Sequence, residues 1–148
     1  MYKVSFIGDY KAVKREDRVT TVAIVGEAQF PPYFWSNVPT KVFDWAVCNE
    51  NWIVSYNYVR FQGKATRHPD DEDDPVLAER IAEARAKIKL YKFMYYVLKE
   101  TYTSLCKRAF GVDDFYPAHV KKDSLYGAVE KYQKLWITES HHLGVLLQ

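Results

Sequence analysis

Residues 63–89 read GKATRHPDDEDDPVLAERIAEARAKIK, and the change of pattern inside this stretch decides the fold. Before it the chain alternates as strands do. After Pro75 there is neither Gly nor Pro as far as Phe110, and Gly111 follows as a natural helix stop. Five acids in a row, Asp70 to Asp74, mark the junction. Asp74 precedes Pro75, and Pro is favoured at the first helical position because its missing N–H is one that a helix leaves unpaired anyway. An Asp just before it accepts hydrogen bonds from the first turn, and the other acids lie near the positive end of the helix dipole. The run reads as a helix start. A calcium loop needs acids at alternating positions and a turn glycine, and a zinc site needs more His or Cys than His68 supplies. An acidic contact surface is the remaining alternative.

Working upstream, strands are predicted at Tyr2–Ile7, Arg18–Val25, Lys41–Cys48 and Trp52–Thr66, the last two joined as a hairpin through Asn49-Glu50-Asn51. Gly63 marks a bulge or the end of the last strand. Connections too short for helical crossovers favour antiparallel pairing. Downstream, a second helix is predicted over Asp123–Ile137, with Leu125, Val129, Tyr132 and Trp136 on one face. The expected fold class is α+β: one domain over residues 1–148, with residues 1–67 mainly β. An antiparallel sheet of four or five strands packs on a long helix over 75–110 and a shorter C-terminal helix over 123–137.

Within the long helix, Leu77, Ile81, Ala84, Ile88, Tyr91, Tyr95, Leu98, Tyr102 and Leu105 recur at alternating spacings of four and three, a heptad seam. Leu90, Phe93, Met94 and Val97 form a second apolar side. A helix apolar on two sides is covered on two sides, here by the sheet and by either the C-terminal helix or another protomer. A homo-oligomer is expected. Arg80, Arg85, Lys87, Lys92, Lys99 and Arg108 flank the seam without an acid among them. Three readings are open for these cations: solvated heads on packed stems, an acidic protein partner, or an anionic ligand such as a nucleotide phosphate.

The net charge of +2 is too small to argue for nucleic acid, whereas an aromatic content of 16%, with 12 Tyr and 4 Trp, points to an interface or ligand surface beyond the core. Cys48 and Cys106 lack CxxC spacing and read as buried free thiols, with a disulfide or a reactive cysteine as alternatives. MYKVSFIG lacks the apolar core of a signal peptide and no apolar run approaches membrane-spanning length, so a soluble cytoplasmic protein is expected.

The junction also carries a family resemblance. Gly63, Ala65, His68, Pro69, Asp70, Asp71, Ala82, Arg85 and Ala86 match a pattern in which a strand ending Gly-x-Ala is followed by His-Pro-Asp-Asp, an acidic spacer and a helix with Ala-x-x-Arg-Ala. In this the chain resembles small accessory proteins of bacteriophages. The match spans roughly a fifth of the chain and departs from the pattern at Asp73 and Leu77. It implies a viral accessory role, acting in the host cytoplasm, and no catalytic residue.

Catalytic templates fail: GxSxG, P-loop, HExxH and GxGxxG sequences are absent. His119 near Asp113 and Asp114, and the pair His141-His142, read as solvated side chains. No enzyme, cofactor or metal is therefore expected. The loop Phe30-Pro-Pro-Tyr-Phe-Trp35 holds four rings in six residues, either a plug on the sheet or a stacking surface. A ligand site is expected from Tyr33 and Trp35 with Arg60, Arg67 and Arg85. Trp45, Trp52 and Tyr56 read as packing residues. The function expected is a non-enzymatic phage anti-defence protein that sequesters a nucleotide-derived immune signal in a site made by an oligomer. In mode it is similar to phage proteins that trap the cyclic ADP-ribose signals of Thoeris immunity. The alternatives are an inhibitor of a host defence protein, of anti-CRISPR or anti-restriction type, and a nucleic-acid-binding module.

Overall fold

The computed structural model describes residues 5–16, 19–49, 52–67, 74–111 and 115–148. Strand β1 (Ser5–Glu16) pairs antiparallel with β2 (Val19–Gln29), from Glu16 opposite Val19 to Ser5 opposite Gln29, with a register slip between Gly8 and Tyr10. The β-branched run in β2 makes it a central strand, as its sequence suggests. On its other side lies β4 (Tyr58–Arg67), and β3 (Trp52–Val54) adds a short edge against residues 59–61 of β4. The order is β1-β2-β4-β3, antiparallel throughout. Helix α2 (Pro75–Gly111) lies across the sheet, and α3 (Phe115–Leu146) returns along α2. The class is α+β.

The helix start behaves as its local chemistry dictates. The Asp74 Oδ1 accepts from the Leu77 N–H at 3.0 Å, and its carbonyl accepts from Ala78 at 3.1 Å. His68 and Asp70–Asp73 lie outside the described residues, as do Asp113 and Asp114 and the side chain of His119.

Three sequence expectations are corrected. The segment predicted as a strand over Lys41–Cys48 is a helix, α1 (Thr40–Cys48). Pro39 supplies the carbonyl that accepts from both Val42 and Phe43, and Val42 and Ala46, four apart, are the buried pair. Burial at helical spacing outweighs the strand preference of the β-branched residues. The single strand predicted over Trp52–Thr66 is two strands, β3 and β4, folded back around Ser55–Asn57, where the Ser55 N–H donates to the Tyr58 carbonyl at 2.8 Å. The described hairpin therefore turns at Ser55–Asn57, whereas Glu50 and Asn51 lie outside the described residues. The second helix runs far beyond 123–137, because α2 offers it an apolar seam along its length. Leu125, Val129 and Tyr132 are buried, and Tyr91–Tyr132, Tyr95–Trp136 and Tyr102–Tyr126 ring contacts join the two helices.

Helix α2 is thus covered twice within one chain. The tyrosines of the heptad seam meet α3, whereas Leu90, Phe93, Met94 and Val97, all nearly inaccessible, face the sheet and the Phe30–Phe34 segment. The strand and the helix cross at Gly63. A Cβ built on Gly63 would lie 1.9 Å from the Ala82 carbonyl oxygen and 2.5 Å from the Ala86 nitrogen. Gly63 has no positive φ, so the requirement is for room and not for an unusual backbone conformation. Ala65 and Ala82 complete the contact with Val22. The Gly-x-Ala and Ala-x-x-Arg-Ala residues are the two sides of one close crossing.

Because β3 is so short, β4 is an open edge from Gln62 onward among the described residues. Arg85 Nη1 donates to the Lys64 carbonyl at 2.7 Å and Lys89 Nζ to the Gln62 carbonyl at 2.7 Å. The spacings match: four helical residues rise about 6 Å and two strand residues about 6.7 Å. Cations from α2 cover the bare carbonyls of the edge.

Candidate functional site

Of the five residues nominated from sequence, the structure describes the side chains of Tyr33, Trp35, Arg60 and Arg85. Tyr33 is 85% exposed, on a left-handed backbone with φ 60°, at the start of a single 3-10 turn (Phe34–Asn37). Trp35 turns inward, edge-on to Phe30, Phe34 and Phe43 with centroids 4.9–5.4 Å apart. With Phe30 and Phe34 buried, the loop is largely the plug that its composition allowed. The Trp35 Nε1 is buried with no hydrogen-bond partner. Arg60 is ion-paired to Glu27 at 2.9 Å and lies over the Tyr58 ring. At the backbone Arg67 is seven residues further along β4, about 23 Å at strand rise. The Arg67 side chain is not among those described. Arg85 is held on the Lys64 carbonyl. Among the described side chains, Arg60 and Arg85 are thus held by separate partners and form no common mouth under Tyr33 and Trp35. Cys48 is exposed and Cys106 half-buried, both free, so neither is the fully buried thiol expected.

The structure assembles a different site. A cleft of about 480 Å³ opens along α2, between α1 and β3 on one side and α3 on the other. Its floor is Ile88, Lys89, Lys92, Tyr95 and Tyr96, a stripe at helical spacing. One wall is Trp45 and Trp52, with Asn49 beside them, and the other is Trp136. The Trp wall is built firmly. Trp45 and Trp52 meet edge-on at 5.5 Å, Trp52 lies 4.9 Å from Phe93, and the Trp52 Nε1 donates to the Ala46 carbonyl at 2.9 Å. Trp45 also contacts Tyr96 at 4.3 Å. Opposite, Trp136 lies 5.7 Å from Tyr95, and the Lys92 ammonium lies over the Trp136 ring at 5.9 Å.

Three indoles, two phenols and two ammonium groups thus share one cavity, within the size range of small-molecule sites. Stacking surfaces suit a flat heterocycle, and the ammonium groups suit an anion while repelling a cationic ligand. Partial burial, with the charge of Lys64 second, lowers the Lys89 pKa below its usual 10.5. An anion beside Lys89 would relieve that cost. No carboxylate is among the residues lining the cleft. Sequence reasoning passed over this site because Trp45, Trp52, Tyr95 and Trp136 are spread over four elements and each resembles a packing residue. The one available signal was Lys89 and Lys92 interrupting an apolar helix stripe.

Among the described residues no group of three or more His, Cys, Asp or Glu side chains is placed to hold a metal ion. Nor, among them, is any helix long and apolar enough to cross a membrane. The chain matches no family model, no curated protein and no solved structure. The functional reading therefore rests on the chemistry of the cleft.

Proposed function

We propose that this is a non-enzymatic protein that binds and sequesters a nucleotide-derived signal in the cleft between Trp45–Trp52 and Trp136, and that it serves a phage in countering host immunity. One observation carries the binding half: an aromatic-walled cavity of about 480 Å³ whose floor presents Lys89 and Lys92. A base stacks on the indoles while its phosphate meets the ammonium groups. The viral half rests on the resemblance of residues 63–89 to phage accessory proteins. The mode does not need a second protomer, since α3 takes up the apolar seam of α2. The test is calorimetric titration with adenosine nucleotides and cyclic ADP-ribose. The parent should bind at least one of them, and Trp136→Ala or Lys92→Ala should weaken binding about tenfold or more. Absence of binding across the panel by the folded parent sinks the proposal.

A second reading, inhibition of a host defence protein, is favoured by exposed apolar side chains near one end of the sheet. Tyr33 is 85%, Tyr56 71% and Ile53 63% exposed. Exposed rings of this kind anchor protein interfaces. Capture of one host defence protein that is lost in a Tyr33→Ala/Tyr56→Ala double variant, with the Trp cleft unaltered, would support this reading over sequestration.

A further inference from the structure

A second hollow of about 350 Å³ adjoins the Trp cleft and shares Ile88 and Lys89 with it. Its remaining lining is Gly63, Lys64, Arg85 and Leu143. From the Trp136 wall to the open edge of β4, the joined floors carry Lys92, Lys89, Arg85 and Lys64, and no acid is among the residues lining either hollow. The Arg85 and Lys89 head groups are held in place by the Lys64 and Gln62 carbonyls. Each keeps further N–H donors free, because a guanidinium has five and an ammonium three. Lys64 lies close enough to Lys89 for its charge to act on it. Gly63, where β4 crosses α2 most closely, lies in the lining of this end of the trough.

We infer that the ligand carries a pyrophosphate or longer phosphate chain, with its base in the Trp cleft and its phosphates running over Lys89 toward Lys64 and Arg85. The inference rests on the nucleotide reading of the cleft and narrows it. Four cations, two of them anchored on strand carbonyls, lie in sequence along one groove, and a single phosphate cannot reach them all. A nucleoside monophosphate satisfies Lys89 and Lys92 alone. A diphosphate, or a pyrophosphate bridging two nucleosides, extends to the second hollow and neutralises the like charges gathered there.

The experiment titrates the full chain with AMP, ADP, inorganic pyrophosphate and a short mixed-sequence oligonucleotide, following indole fluorescence and heat. The parent, Lys64→Gln and Trp136→Ala are compared after circular dichroism shows that each is folded. ADP should bind about tenfold or more tighter than AMP, pyrophosphate alone should bind, and Lys64→Gln should erase most of the ADP advantage while leaving AMP unchanged. Trp136→Ala should weaken AMP and ADP alike and leave pyrophosphate in place. If AMP and ADP bind equally, or Lys64→Gln weakens both to the same degree, the second hollow holds no phosphate. The inference then falls while the nucleotide reading stands. Pyrophosphate binding without any nucleotide binding overturns both the nucleotide reading and the inference built on it. Preference for the oligonucleotide over ADP would replace both with a nucleic-acid groove.

Discussion

Replacing Gly63 by Ala tests the crossing on which the fold depends. The new methyl would start 1.9 Å from the Ala82 carbonyl oxygen and 2.5 Å from the Ala86 nitrogen, and ordinary contact begins near 3.4 Å. The difference at the closer atom, 3.4 less 1.9, requires β4 and α2 to separate locally by about 1.5 Å. Both obstructing atoms are helix backbone, so no side-chain rotation relieves the clash. A gap of roughly 0.5–1 Å already forfeits a quarter to a half of the dispersion energy of the atoms that line it. Overpacking costs about 1–3 kcal/mol where the surroundings can yield. Between two backbones the expected loss is about 3 kcal/mol or more, which for a chain of this length lowers Tm by roughly 6–12 °C. Denaturant unfolding by circular dichroism measures it. Gly127→Ala and Gly144→Ala are the controls, since a Cβ at either meets nothing within 4 Å. Both lie in α3, where exchanging Gly for Ala should add about 0.5–1 kcal/mol. Intrinsic propensity favours Ala at all three sites, so the opposite sign at Gly63 is diagnostic. A Gly63→Ala change smaller than about 1 kcal/mol would show that strand and helix are not in backbone contact.

Asp74→Ala should lose about 1 kcal/mol, because the Leu77 N–H loses its acceptor. Asp71→Asn with Glu72→Gln should change stability by under about 1 kcal/mol and leave ligand binding insensitive to EDTA; loss of binding with EDTA would restore a metal site. The lowered Lys89 pKa sets a pH dependence for anion binding. Affinity should hold at neutral pH and decline as pH rises through a value below 10.5, as the free protein loses the Lys89 proton. For stability the sign is opposite: folding disfavours the charged lysine, so this group's contribution rises with pH between its folded and unfolded pKa values. Lys89→Gln should abolish the shift in the affinity profile, and an unchanged profile would remove Lys89 from the site.

The α+β class, the start of α2 and its span were legible in the sequence because their causes are local. A Pro at the first turn, an Asp one residue before it and a Gly at the end act on groups three or four residues away. The buried face of α3 was legible at Leu125, Val129 and Tyr132 for the same reason, through helical periodicity. Elsewhere local preference lost to burial. Val42, Val47 and Phe43 suit a strand, and the chain makes α1 of them because Val42 and Ala46 must reach the same core. The Gly-x-Ala and Ala-x-x-Arg-Ala patterns were visible, yet their meaning needed the crossing that sets Gly63 against Ala82 and Ala86. The cleft was legible only in the two lysines, Lys89 and Lys92, that interrupt the apolar stripe of α2. Trp45, Trp52, Lys89, Lys92 and Trp136 come together only because α3 returns along α2 while α1 and β3 close the other side. Aromatic side chains obey the same periodicity whether they fill a core or wall a cavity. Only the distances between elements far apart in the chain separate the two.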